Sequence, residues 1–444
     1  MTEQLKLKLN DSKATRWGAL VIVAFTMMAA YYVNDVVAPL KTMLETDLAW
    51  SSTDFGFFTG GYSFLNVFFL MLIWGGLILD RFGIRFTGKL ATILMVGGTA
   101  LEYYAMTGLA GTDATLFGIN EIFGYKTGVF VAFAGYSIFG VGAEVAGITV
   151  SKIIAKWFKG KELATAMGVQ VALARIGSQA GYAVAIPLAR AFGISTPVLL
   201  GLVLLLGGMI AFFVFTVMDK KLDKQMEAAA IAAGTEDEEE KFSFKDVKNI
   251  LVNPGFWLIA LLCVLFYSCV FPFQKFASEL MIIKYGINEN VAGTFAGLPA
   301  LGALILTPVF GGFIDKRGKS ASIMLLGSAM LICVHFIYAI PDINYWLVAI
   351  VLMIILGIAF SLVPSAMWPA VAKIFPVSQL GTAYALIFFI QNIGLWGIPT
   401  LIGWVLDAYC ISGKKPDGTN MYDYTVPMCI FTGIACLSLV VPYC

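Results

Sequence analysis

Apolar runs of 18–25 residues recur along this chain, and nothing else in it limits the fold so strongly. A run of that length, coiled as an α-helix, crosses a hydrocarbon core of about 30 Å. Twelve such spans are predicted, at roughly 17–39, 54–79, 86–108, 128–151, 162–187, 196–218, 254–283, 291–313, 320–340, 345–372, 379–405 and 425–444. No stretch shows the period-2 alternation of a membrane β-barrel. Only 13% of the residues are charged, where a water-soluble domain carries about 25%. The fold class expected is an all-α membrane protein, twelve transmembrane helices in two six-helix pseudo-symmetric halves. A net charge of +1 gives no reason to expect nucleic acid.

Lysine and arginine orient the spans. With the N-terminus inside, 21 of the 29 fall on inner segments, six on outer ones, and Arg175 and Lys275 lie within spans. Both termini are therefore expected in the cytoplasm. The domains expected are a first half, 1–218, a cytoplasmic linker, 219–253, and a second half, 254–444. The linker holds EDEEE at 236–240, read as a flexible acidic tether, then KFSFKDVKNIL, read as an amphipathic helix on the membrane surface. The first sixteen residues are polar and lead straight into a full-length span, so no cleavable signal peptide is expected. The seven cysteines form no CxxC and no metal-like cluster. An outer disulfide between Cys410 and Cys429 is open to the pattern. The chain has no nucleophile–base pair and no phosphate loop, so neither an enzyme nor a cofactor is expected.

The halves repeat. GGLILDRFGIR at 75–85 recurs as GGFIDKRGK at 311–319, matching Asp80 to Asp315 at an offset of 235. AKWFKGKELATAMGV at 155–169 aligns with AKIFPVSQLGTAYAL at 372–386 at an offset of 217. The difference places about 18 extra residues in the first half, and GTDATLFGINEIFGYK at 111–126 is the candidate insertion. Parallel six-helix repeats recur among transporters that bind substrate near the midplane. The second offset sets Arg175 opposite Asn392 and Glu144 opposite Ser361, four polar residues expected on facing cavity walls.

Charge inside a span costs about 2.5–3.5 kcal/mol on insertion scales and marks function by default. Glu144, in FGVGAEVAGITV, lies about 12 Å from the inner boundary of its span, and Arg175, in ALARIGSQ, about 18 Å from that of its own. Both fall near the midplane. A fixed anion and cation at such heights suit a zwitterion, and an extended dipeptide spans about 7 Å. Glu144 would take the α-ammonium and Arg175 the carboxylate. The alternative is that the two pair and pin their helices. Trp368 and Tyr267 are further candidates for the cavity, and Pro364 and Pro369 are expected to break span 10. Asp80, Arg81, Arg85 and Asp315 read as a gate latch between the halves. Asp35 reads as a solvated helix end or a gate residue. Lys275 lines the cavity or snorkels, and His335 packs.

GLILDRFGIR between spans 2 and 3, repeated as GGFIDKRGK between spans 8 and 9, resembles the GxLxDRxGxR signature of the major facilitator superfamily. GVGAEVAG, WFKGKELATAMGVQVALARIGS and WPAVAKIFPVSQLGTAYALIFFIQNIG resemble, more narrowly, its lysosomal dipeptide uniporters. That resemblance implies the major facilitator fold, and it implies that Glu144 and Arg175 clamp dipeptide termini. The function expected is a secondary transporter moving small zwitterionic peptides by rocker-switch alternating access, with loosely read side chains. An organic-anion transporter, proton-coupled or exchanging, with Glu144 as its proton site, is the alternative. A membrane sensor without flux is another. MTEQLKLKLND carries no acidic dileucine signal, so the address expected is the cell membrane, the inner membrane in a bacterium. The partners expected are a small-molecule substrate and the bilayer, with the chain acting as a monomer.

Overall fold

The computed structural model describes residues 8–111, 114–233, 244–317 and 319–441. Among these, the apolar runs form fifteen α-helices. The first group is α1 (Lys13–Val36), α2 (Lys41–Leu48), α3 (Ser52–Phe68), α4 (Met71–Ala105), α5 (Thr127–Phe158), α6 (Leu163–Phe192) and α7 (Thr196–Ala233). The second is α8 (Phe244–Val252), α9 (Pro254–Tyr285), α10 (Glu289–Ala296), α11 (Leu298–Arg317), α12 (Ser320–Ala339), α13 (Trp346–Ile374), α14 (Val377–Tyr409) and α15 (Thr425–Val440). Eight helical stretches are long and apolar enough to cross a membrane, and the α3–α4 pair, bent by 58°, makes a ninth.

The remaining expected spans are accounted for by chemistry. In α4 the chain turns at Gly83, whose φ of 72° is open to glycine and strained for other residues, so one continuous element serves two crossings. The apolar character of α6 is diluted by Gln170, Arg175, Ser178 and Gln179. α15 is a shorter apolar helix of 16 residues.

Local signals set the boundaries. Ser51 caps α3 in a capping box with Asp54, and Asn253 caps α9 ahead of Pro254. Gly286, at φ 60°, ends α9. Two expectations need correction. α13 is one continuous helix through Pro364 and Pro369. The hydroxyl of Ser365 adds a bond of 2.7 Å to the Ser361 carbonyl, inside the stretch the prolines weaken. α7 runs to Ala233, well past the expected end of its span. The EDEEE run lies outside the described residues, and α8 covers most of KFSFKDVKNIL.

Two small hairpins lie at one end of the bundle: β1 (Glu121–Ile122) with β2 (Tyr125–Lys126), and β3 (Ile411–Lys414) with β4 (Asn420–Tyr422). Both reach the α2 region, Lys126 donating to the Ala49 carbonyl and Lys415 facing Glu45. The 111–126 insertion thus ends in a hairpin whose Tyr125 ring stacks on Phe57 of α3 at 3.9 Å.

At this hairpin end the two groups of helices meet along two seams. α3 packs on α14, where a Cβ on Gly56 would overlap the Pro399 carbonyl and one on Gly60 would lie 2.8 Å from the Trp396 carbonyl. α6 packs on α10, where a Cβ on Gly293 would overlap the Tyr182 carbonyl. Small residues permit this backbone approach, and dispersion across it is a main source of helix association in lipid. Cys410 and Cys429 are both free, the first buried and the second exposed.

Candidate functional site

Arg175 lies midway along α6 and is partly buried. Its guanidinium carbon stands 5.6 Å from the ring centre of Tyr31 on α1 and 4.9 Å from that of Phe360 on α13. Each such contact is worth about 0.5–2 kcal/mol. Glu144, on α5, accepts a hydrogen bond of 3.0 Å from the Tyr62 hydroxyl of α3. Among the described residues no ion pair joins Glu144 to Arg175, so the two are held apart rather than spent on each other. Two π faces together contribute about 1–4 kcal/mol, comparable to the cost of about 2.5–3.5 kcal/mol of an intramembrane guanidinium, but they engage its face and not its N–H groups. Among the described residues no hydrogen bond takes up its five donors, which can serve an anion.

Facing Arg175, the second group of helices supplies aromatic surface. Phe360 is fixed edge-on by Phe271 at 5.3 Å and Tyr267 at 6.1 Å, both from α9. The Trp368 indole nitrogen donates to the Tyr267 hydroxyl at 3.3 Å, and Tyr384 donates to the Trp368 carbonyl. Tyr267 and Trp368 therefore join Arg175 through Phe360. Asn392 and Ser361 do not. Asn392 is 1% exposed and its amide donates to the Phe388 carbonyl of its own helix. Ser361 is fully buried and its hydroxyl turns back on Gly357 at 2.7 Å. The repeat brings position 361 to the right depth, but the neighbouring Phe360 is the residue at the charge.

One turn along α1 from Tyr31, Asp35 accepts from Ser178 of α6 and pairs with Lys275 of α9 at 3.2 Å. Lys275 also donates to the Asn34 carbonyl at 2.6 Å and reaches the Tyr136 hydroxyl at 3.4 Å. Asp35 is not a solvated helix end, and Lys275 does not snorkel: three partners from the other half hold it. His335 packs, fully buried, with Nε2 3.0 Å from the Cys269 carbonyl.

Nearer the hairpins a denser cluster joins the halves. Lys41 Nζ lies 2.5 Å from Glu45 and 2.6 Å from Glu279, and its charge stands over the Tyr422 ring. Lys415 stands 3.7 Å from both carboxylates, and Tyr424 donates to Glu279. Asp407 of α14 accepts from the backbone amides of Ser52 and Thr53 at the start of α3. Burial, and then the charge of Glu45, push the Tyr422 phenol above its usual range, so it stays a donor to Asp407 at 2.7 Å. Arg190 of α6 pairs with Glu289 of α10.

At the opposite, basic end several ion pairs link helices of the first group. Asp80 pairs with Lys152 at 3.0 Å, and Arg85 with Asp219 at 3.3 Å and with Asp223. Lys156 and the Trp157 indole complete the shell of the fully buried Asp219. Arg81 lies over the Phe82 ring at 5.5 Å. The Asp315 side chain lies outside the described residues. Among the described residues, Asp80 and Arg85 pair only within the first group of helices.

Sequence reasoning passed over Tyr31, Tyr62 and Phe360, because an aromatic in an apolar span carries no mark of facing a charge. It also passed over Lys41, Glu45 and Glu279, which sit near span ends where charge is ordinary. The spacing of Gly56 and Gly60 in GFFTGG was the available clue to the α3–α14 seam.

The family model described as Major Facilitator Superfamily matches residues 20–397. The lysosomal dipeptide transporter MFSD1 of Homo sapiens is 29% identical over 409 residues, 89% of this chain and 81% of that protein. The protein of the same name from Danio rerio is 28% identical over 88% of this chain and 80% of its own. Among solved structures, a mutant of the nucleoside transporter NupG superposes with a TM-score of 0.68 at 12% identity, covering 95% of this chain and 98% of its own. A D-xylose–proton symporter superposes at 0.67 with 15% identity and 96% coverage of each chain. The shared fold is the major facilitator fold, twelve membrane helices in two six-helix halves.

Proposed function

Since the chain belongs to the Major Facilitator Superfamily, we propose that it is a secondary transporter that carries dipeptides across a membrane by alternating access. The observation that supports this reading most is the separation of Glu144 from Arg175, each supported by other groups and neither neutralised by the other. A zwitterion laid between them supplies the missing countercharges. Its ammonium meets the Glu144 carboxylate that Tyr62 orients, and its carboxylate meets the guanidinium fork. The relatives' name, dipeptide transporter, supports the same substrate class.

The halves are α1–α7 and α9–α15, joined by a linker that includes α8. Lysine bias supports a cytoplasmic basic end, with both termini there, and an outer hairpin end. On that orientation the structure is closed outward, and Asp35–Lys275, Lys41–Glu279, Arg190–Glu289 and the Asp407 cap are contacts that separate when the halves rock. Asp80, Arg81, Arg85 and Asp315 belong to the inner gate. A cell-membrane location, and action as a monomer, go with this reading.

The test is ligand-induced thermal stabilisation of the purified protein. A ligand at a hundred times its Kd stabilises by about 2.7 kcal/mol. Glycylglycine should raise the Tm of the parent, and Glu144→Ala and Arg175→Ala should each abolish the rise. A parent stabilised by simple carboxylates and indifferent to glycylglycine would overturn the dipeptide reading in favour of an organic-anion carrier.

A further inference from the structure

Arg175 has no acidic partner among the described residues, and its two π contacts come from different halves. Tyr31 belongs to α1, in the same half as Arg175, whereas Phe360 belongs to α13, in the other. Phe360 is the closer ring, 2% exposed, and held edge-on by Phe271 and Tyr267. Its face is therefore already set toward the charge. The same α6 surface carries Ser178, which holds Asp35 against Lys275 of α9, the helix that also positions Phe360. The midplane cation and the contact between halves are thus built into one unit.

We propose that Phe360 is the positioning residue through which the second half senses occupancy of Arg175. This rests on the dipeptide reading for the identity of the ligand. In the empty site the ring face and the guanidinium attract across the boundary between the halves and help keep the hairpin end shut. A bound carboxylate neutralises the guanidinium, and an aromatic face attracts a neutralised ion pair less than a bare cation. Ligand binding therefore loosens one tie between the halves, and an empty carrier is held more firmly than a loaded one. Differential affinity for two states is what a ligand needs in order to move them. Tyr31 makes a similar contact, but within one half, so it supports Arg175 without reporting on the other half.

The test places spin labels at Asp47→Cys and Ala408→Cys, exposed positions in α2 and α14 on opposite halves at the hairpin end. Exposed Cys333, Cys429 and Cys436 are replaced by serine, as is Cys444, and the buried thiols stay. Pulsed-dipolar distances are read with and without glycylglycine. In the ligand-free protein, Phe360→Leu should raise the open population about 3- to 10-fold. Phe360→Trp, which keeps a π face, and Tyr31→Leu should stay with the parent. Saturating glycylglycine should open the parent and have little further effect on Phe360→Leu. Phe360→Met replaces the leucine variant if that fails to fold. A ring-free variant with the parent's ligand-free distribution overturns the proposal, as does a tryptophan variant as open as the leucine one. A parent that binds glycylglycine without opening also overturns it. A parent that does not bind glycylglycine overturns the dipeptide reading instead, and the ligand-free comparison still decides the role of Phe360.

Discussion

At the hairpin end, Lys41 sits between Glu45 and Glu279 with Lys415 behind them, and both acids have cations within 4 Å. At the centre, Glu144 has a tyrosine hydroxyl and Arg175 has two rings, and neither has a counter-ion among the described residues. Both places put charge inside a helical bundle. The first satisfies it from the protein itself, across the boundary between the halves, and so acts as a fastening. The second leaves it for something that arrives. Buried pairs are weak evidence for net stability, but breaking one is costly. The two places should therefore respond oppositely to the loss of a charge.

The largest expected effect lies at the fastening. Lys41 is 1% exposed and Glu279 also 1%. Lys41→Met leaves two carboxylates buried with only the more distant Lys415, and loss of one partner from a buried pair costs about 3–5 kcal/mol. The thermal unfolding midpoint in detergent should fall sharply. Arg175→Ala, made in parallel, should leave the midpoint within a few degrees of the parent while removing the response to glycylglycine. If the two variants are equally damaging, the contrast between fastening and site is wrong.

A smaller effect should follow from pushing the seam apart without touching any charge. The Cβ of Gly56→Val would overlap a backbone carbonyl on α14 that cannot swing away. Overpacking costs about 1–3 kcal/mol, and here the strain is relieved by opening the hairpin end. A cysteine at Thr53, partly buried beside Asp407, should react several times faster with a bulky maleimide in the Gly56→Val background. An unchanged rate would mean that the seam does not hold the closed state.

How far these features could be read from sequence divides along the same line. Span number, the repeat and the charges of Glu144 and Arg175 were legible, because length, self-similarity and a charge in an apolar run are local signals. The partners of those charges were not. Tyr62 and Phe360 are ordinary apolar-span residues until a neighbouring helix brings a charge to them. Asn392 and Ser361 show the opposite failure. An offset of 217 pairs their positions with Arg175 and Glu144, but the Asn392 amide nitrogen donates to Phe388 and the Ser361 hydroxyl to Gly357, each on its own helix, and neither reaches the charges. From sequence, Lys275 was open either to lining the cavity or to snorkelling, and Asp35 either to solvation or to a gate role. Only the approach of α9 to α1 reveals that they neutralise each other.

Tyr62→Phe sharpens the account of the centre at modest cost. It removes one hydroxyl from Glu144 and leaves the ring among Tyr136 and Phe139. A hydrogen bond to a charged group contributes about 1.5–3 kcal/mol, and a neutral one about 1 kcal/mol. An ammonium ligand recovers part of what Glu144 loses, so binding of glycylglycine should weaken only about three- to tenfold. Titration calorimetry on the two proteins checks this. A loss as complete as that of Glu144→Ala would mean that Tyr62 contacts the ligand itself.

The smallest effect should come from the basic end. Asp80 and Lys152 are joined at 3.0 Å, but their side chains are 62% and 39% exposed. Water and salt screen such a pair, whose worth is about 0–1 kcal/mol. Asp80→Asn should therefore leave thermal stability nearly unchanged, with any difference fading as salt rises. The nearby Asp219 is the control, since it is fully buried and takes bonds from Arg85, Lys156 and Trp157. Asp219→Asn should be much the more damaging of the two, because it strips a buried shell of cations and an indole of their common anion. Equal losses would mean that position in the fold, rather than burial, sets what a charge is worth at this end. The rule separating the hairpin cluster from the central site would then fail where it is simplest to apply.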